Sequence, residues 1–96
     1  MGQVKELTVF YDAIGDDPRI GPTHISLYMA LFQVYHLNGF KNPINVCRKN
    51  VMEMAKINSL ATYHKCIKSL QDSGYIRYLP SFNAGIRTQI FIRCER

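Results

Sequence analysis

The chain has 96 residues, 47% of them hydrophobic and 20% charged, which suits one folded domain and excludes an intrinsically disordered chain. Its net charge is +5, with residues 1–22 at −2 and residues 23–96 at +7. A basic body attracts polyanions, of which DNA is the most common. Because no apolar run reaches the roughly 20 residues of a membrane span, and the first residues lack a signal-peptide pattern, we expect a cytoplasmic protein that does not enter a membrane.

Residue types that could carry catalysis or hold a metal lack the spacing that such sites need. The three cysteines, Cys47, Cys66 and Cys94, are odd in number and far apart, which favours reduced thiols over disulfides or a zinc site. The sequence contains neither a glycine-rich phosphate loop nor a Gly-x-Ser-x-Gly motif, and its histidines lack the i, i+4 spacing of a metal pair. We therefore expect no enzyme, no metal and no cofactor.

The first clear element is a helix over 24–37, which follows an N-terminal arm, 1–21. Within the arm, residues 4–11 fit either a short strand or a first helix turn, and their pattern does not decide between the two. Pro22 suits a helix start and Thr23 is a capping residue. The helix has a wide apolar surface, so we expect it to be central to the core or to form a dimer contact.

A very short strand and a second helix follow the chain break at 42–43. Ile44 and Val46 alternate with polar residues in the way that strands do. The helix is predicted over 48–56, after Cys47 at the position of the helix cap. Its inner stripe is predicted to consist of Val51, Met54 and Ala55.

The third helix, predicted over 59–73, separates apolar and polar residues sharply. Ser59 is a suitable cap, and Gly74 ends the helix in a left-handed conformation. Four residues at helical spacing form the predicted buried face: Tyr63, Cys66, Ile67 and Leu70. The opposite face begins with small or hydroxyl side chains and continues with Lys65 and Lys68. Such a face can enter a DNA major groove about 12 Å wide and reach bases and phosphates.

Two strands, 75–79 and 88–92, are predicted after the third helix. Both are rich in β-branched and aromatic residues, and the segment between them is rich in turn formers. Together they form a predicted β-hairpin whose connecting loop contains Asn83 and Arg87.

The order helix, short strand, helix, turn, helix and hairpin resembles the winged helix-turn-helix family. The resemblance is carried by residues 48–76, RKNVMEMAKINSLATYHKCIKSLQDSGYI, and covers 22–93, which leaves a tail over 94–96. The run TYHKCIKSLQDSGYIRYLPS at 62–81 is also similar to small bacterial transcriptional regulators linked with mobile elements. The family fold is α+β, mainly α, with three helices plus a C-terminal β-hairpin wing. The chain departs from the family pattern at Cys47, where Ser or Thr is usual, and at Leu60, where a polar residue is usual.

The resemblance implies sequence-specific binding of double-stranded DNA and regulation of transcription, with helix 59–73 in the major groove. Four residues would face that groove: Ser59, Ala61, Thr62 and Lys65. Lys65 would contact either a guanine or a phosphate, and Leu60 would either pack or touch a thymine methyl. Four others would hold phosphates: Arg48, Lys49, His64 and Lys68. From the wing, Asn83 and Arg87 would reach the adjacent minor groove or backbone.

A second function is compatible with the same fold, because winged helices also serve as protein-interaction or assembly modules. The basic face of the third helix favours DNA binding over this alternative. One domain contacts few base pairs, so we also expect a homodimer, formed through helix 24–37 and the N-terminal arm.

Overall fold

Helices dominate the described part of the chain. The structure, a computed structural model, describes residues 2–79 and 88–92, with side chains from residue 7 onward. Within these ranges there are four helices and three strands: α1 (Gly2–Ile14), α2 (Pro22–Leu37), β1 (Ile44–Val46), α3 (Arg48–Ala55), α4 (Leu60–Asp72), β2 (Ile76–Leu79) and β3 (Thr88–Ile92). The fold is therefore a small, mainly helical α+β fold, as the sequence predicted.

The three strands form one antiparallel sheet in the order β1-β3-β2. The predicted hairpin strands pair with each other, and β3 also pairs with β1, so that Ile44 lies opposite Ile90 and Ile76 opposite Ile92. All four isoleucines are buried, which makes one face of the sheet part of the core. Just before β1, the Asn42 side chain continues the pairing with the central strand β3 by exchanging two 2.9 Å hydrogen bonds with the backbone of Ile92.

The helix α2 occupies the centre of the core. Six of its residues are buried: Leu27, Tyr28, Ala30, Leu31, Phe32 and Tyr35. The cap is Gly21 and not Thr23, because His24 Nδ1 accepts the Gly21 N–H at 3.1 Å and Thr23 already lies inside the helix. Two roles were predicted for the wide apolar surface of α2, and packing in the core accounts for it. Leu37, at the end of the helix, is the large apolar side chain of α2 that is exposed, at 73%.

The N-terminal segment contributes a helix, α1, which the sequence pattern left undecided. Phe10 is buried, and its ring stacks on Tyr28 with centroids 3.7 Å apart and planes 7° apart. Tyr75 packs edge-on against the same ring at 5.2 Å. The expected count of three helices is therefore one too few, because these tertiary aromatic contacts fix α1 against the core.

The loop between α1 and α2 is attached to the residues that follow α4. The Asp17 carboxylate accepts hydrogen bonds from the Arg19 side chain at 2.9 and 3.0 Å and from the Tyr75 hydroxyl at 3.1 Å. Chiefly through the Arg19 side-chain bonds, the pKa of Asp17 falls to about 2 from its ordinary 3.8. This carboxylate therefore links the N-terminal part of the chain to the start of the hairpin.

The end of α4 is joined closely to β2. Ser73 closes the helix, and Gly74 follows with a φ of +87°, the left-handed conformation that the sequence predicted. Beyond this turn, the Gln71 side-chain oxygen accepts the Tyr78 N–H at 2.8 Å. The last turn of α4 and the strand β2 are thus held together by a direct hydrogen bond.

The N-terminal packing can be tested with Phe10→Ala. Removing a buried phenylalanine leaves a cavity, so we expect a loss of about 3–5 kcal/mol in the free energy of unfolding, measured by urea denaturation. Tyr11→Ala, at a neighbouring ring that is 48% exposed, is the control and is expected to cost about 1 kcal/mol or less. Equal effects of the two substitutions would contradict the packing of α1 on α2.

The Asp17 contacts can be tested by pH. Because its folded-state pKa lies below the ordinary value, the carboxylate stabilises the fold above about pH 4, and this contribution is lost as pH falls towards 2. The difference in urea midpoint between the natural chain and Asp17→Asn should therefore shrink from pH 5 to pH 2. Asp16→Asn, in the same loop but outside these hydrogen bonds, serves as the control. A difference that stays constant over this range would refute the assignment.

Candidate nucleic-acid interface

A rigid turn sets the orientation of α4 relative to α3. Lys56 adopts the left-handed conformation with φ at +62°, and the Ile57 N–H then donates to the Met52 carbonyl at 2.9 Å. Ile57 is buried beneath the turn. Ser59 Oγ accepts the Thr62 N–H at 3.2 Å, which confirms Ser59 as the cap of α4. Backbone conformation at Lys56, burial of Ile57 and the cap at Ser59 therefore fix the turn on both sides of Asn58.

The turn is also anchored to the centre of the molecule. The Ser26 hydroxyl of α2 donates a short hydrogen bond to the Ala55 carbonyl at the end of α3. This bond satisfies a carbonyl that the helix end leaves without an intrahelical partner. The position of α3 and the start of α4 is therefore set by the core helix.

The two faces of α4 lie as predicted. Tyr63, Cys66, Ile67 and Leu70 are buried. The predicted groove-facing and phosphate-facing residues of this helix are at the surface, with Ser59, Ala61, His64, Lys65 and Lys68 exposed and Thr62 half-buried. The lysine side of α4 thus points into solvent, with small side chains at the first turn and the lysines in the middle.

One of these lysines has an ion-pair partner on its own helix. Lys68 Nζ lies 3.2 Å from the Asp72 carboxylate, and the two side chains are 75% and 55% exposed. An exposed pair at i, i+4 contributes about 0.3–0.5 kcal/mol, so Lys68 can exchange Asp72 for a stronger anion at little cost. Asp72 makes the C-terminal end of the face less positive than its beginning.

The first turn of α3 concentrates positive charge. Arg48 and Lys49 are both exposed there, and the turn contains no acidic residue. Cys47 occupies the cap position as predicted, but its side chain accepts no cap hydrogen bond. Cations at the positive end of a helix dipole are unfavourable by themselves, and they become favourable once an anion binds the exposed amides. The start of α3 therefore presents two exposed cations that no acidic residue of the same turn offsets.

An open groove of about 730 Å³ extends from the basic start of α3 to the first residue of α4, Leu60. Its lining combines charged and apolar side chains: Arg48, Lys49, Met52, Glu53, Lys56, Ile57, Asn58 and Leu60. Lys56 is absent from the sequence-predicted set, in which it was simply the last residue of a helix. The available signal was its position immediately before the turn predicted over 57–59, where the chain must reverse.

Three sequence predictions need correction or lie outside the described residues. Met54 was predicted in the inner stripe of α3 but is 43% exposed, whereas Met52 packs against the core. The reason lies in the turn after α3, where the left-handed Lys56 brings the buried Ile57 back to the Met52 carbonyl. Asn83 and Arg87, predicted at the hairpin tip, lie outside the described residues.

The Tyr63 hydroxyl and the Cys66 thiol of α4 are held neutral by burial. Burial raises the pKa of Tyr63 to about 12 and also raises that of Cys66. His64 is exposed whereas Cys66 is buried, so the two do not form a Cys–His pair. Among residues 2–79 and 88–92, no group of three or more His, Cys, Asp or Glu side chains is placed to hold a metal.

Comparisons of the chain with models of known protein families, with curated proteins and with solved structures find no match. Along the described ranges, none of the helices is both long and apolar enough to cross a bilayer. A function for the basic surface must therefore be inferred from the geometry and charge of that surface.

The unfavourable placement of Arg48 can be measured directly. Arg48→Glu should raise the free energy of unfolding by about 0.3–1 kcal/mol at low salt, because it replaces a cation with an anion at the start of α3. Lys41→Glu makes the same charge change in an exposed loop and controls for the general effect of net charge. Urea midpoints of the two variants should differ at low salt and converge at 1 M salt. Equal midpoints at low salt would contradict the dipole argument.

Proposed function

We propose that the chain is a winged helix-turn-helix protein that binds double-stranded DNA and regulates transcription. The observation that carries the proposal is the outward lysine face of α4, held by a fixed turn beside the basic start of α3. Among polyanions, duplex DNA offers a groove that matches a helix with slim side chains at its beginning.

In the proposed complex, the first turns of α4 enter the major groove. Ser59, Ala61 and Thr62 are small enough for close approach, and Lys65 lies one turn further along the same face, within reach of a guanine or a phosphate. His64 and Lys68, at the side of this face, contact the backbone.

The phosphates of the adjoining strand are placed at the start of α3. Residues 48–72 contain five lysines and arginines and two acidic residues, a net charge of +3. Arg48, Lys49 and Lys56 lie along the groove between the helices and neutralise successive phosphates. These contacts orient the protein on the duplex, and α4 reads the sequence.

The sheet supports the same proposal. A winged helix is expected to have a hairpin directly after its third helix and a short strand paired with that hairpin. Here β2 and β3 follow α4, and β1, between α2 and α3, pairs with β3. The β2–β3 connection is the proposed wing, and its Asn83 and Arg87 reach the neighbouring minor groove or backbone.

Titration of duplex DNA at several salt concentrations tests the proposal. Each phosphate contact contributes about −0.9 to the slope of log K against log salt, so Lys65→Ala and Lys68→Ala should each make the slope shallower by about that amount. Lys41→Ala removes one exposed lysine from another surface and should leave affinity and slope unchanged. Circular dichroism checks that helix content is preserved, which alanine favours.

Two results would overturn the proposal, the first by removing DNA binding itself and the second by removing α4 as the surface that binds. The first is failure of the natural chain to bind any duplex at 50 mM salt. The second is a slope that Lys65→Ala and Lys68→Ala leave unaltered while Lys41→Ala changes it. Recovery of a protein partner whose binding is insensitive to salt would then indicate an interaction module.

A further inference from the structure

Leu60 is the apolar exception on the outer surface of α4. The other large apolar side chains of this helix are buried, whereas Leu60 is 44% exposed at the first helical position. It has no role in the core, and the helix already has its cap in Ser59. Packing within the chain therefore does not explain a leucine at this position.

The surroundings of Leu60 indicate what it faces. It lies in the groove together with Arg48, Lys49 and Lys56. Side chains of a helix lean towards its N-terminus, so Leu60 projects ahead of α4, towards whatever the helix start meets. The groove thus combines an apolar contact with three cations and one carboxylate, Glu53, a net charge of +2. This fits a ligand that carries an apolar group close to several anionic groups.

Duplex DNA has one such apolar group at the floor of the major groove. The C5-methyl of thymine is apolar and lies within a few ångströms of base edges that are otherwise polar. A methylated cytosine carries the same methyl group at the same ring position. Phosphates flank it on both strands, as the three cations require.

We propose that Leu60 reads the C5-methyl group of a pyrimidine in the major groove, supplied by thymine or by 5-methylcytosine. The inference depends on the proposed DNA binding and adds the chemical group that is recognised. Leu60 is then a specificity-determining residue, and the basic residues around it hold the backbone without reading sequence.

The experiment begins with a duplex selected from a random DNA pool for binding to the natural chain. Each thymine is then replaced singly by deoxyuridine, which removes the methyl group and keeps the base pair. We expect one or two positions at which Kd rises about fourfold, the loss corresponding to one buried methyl of ~0.8 kcal/mol. Leu60→Ala should weaken binding to the thymine duplex and bind the thymine and deoxyuridine duplexes equally.

A matched control and a second arm complete the test. Met54→Ala removes a side chain of nearly the same exposure, 43%, outside the groove lining, and should keep the full response to deoxyuridine. At the sensitive position, a cytosine–guanine pair is compared with a 5-methylcytosine–guanine pair. If the methylated pair binds more tightly, Leu60 recognises the methyl group on either thymine or 5-methylcytosine. If only the thymine duplex responds to loss of the methyl group, Leu60 recognises thymine alone.

The outcomes separate this inference from the proposed function. Salt-dependent binding with no thymine position sensitive to loss of the methyl group overturns the role of Leu60 and leaves DNA binding intact. A response that Leu60→Ala retains also overturns it. Failure to recover any bound duplex overturns both proposals.

Discussion

Burial of α2 is the constraint on which the rest of the structure depends. Leu27 and Leu31 are completely inaccessible, and the remaining helices and the sheet cover the surface of α2 around them. Fully burying such side chains contributes roughly 1.5–3 kcal/mol each, which is large for a domain of this size. Because α3 and α4 both pack on α2, their outer faces are presented to solvent in a fixed relation. The basic surface therefore exists as one unit because a central helix positions both of its parts.

Local signals in the sequence were sufficient for the elements nearest the candidate site. Three local signals agree on α4: a capping serine at 59, four apolar residues at helical spacing, and a glycine at 74 that takes the left-handed conformation. The hairpin strands were likewise readable from β-branched content, and the structure pairs them as expected. Agreement of several local preferences explains why these elements needed no tertiary information.

Other features could not be read from the sequence pattern because particular side-chain contacts decide them. The helix α1 depends on Phe10 meeting Tyr28 and Tyr75, and no pattern within residues 4–11 reveals those partners. The sequence indicated Thr23 as the cap of α2, whereas the His24 ring accepts the N–H of Gly21, three residues earlier. The inner stripe of α3 was predicted to include Met54, whereas Met52 packs against the core. Specific contacts, near in sequence for Gly21 and tertiary for α1 and Met52, outweigh weak local preferences.

The hydrogen bond from the Tyr78 N–H to the Gln71 side chain has a mechanical consequence. It couples the tilt of α4 to the direction of β2, so a change in one strains the other. Under the proposed function, the angle and spacing between α4 in the major groove and β2, which leads into the wing, are favoured in the protein before binding. Such a reader would discriminate among duplexes by groove width and curvature as well as by bases, because a DNA that does not match the spacing must bend to fit.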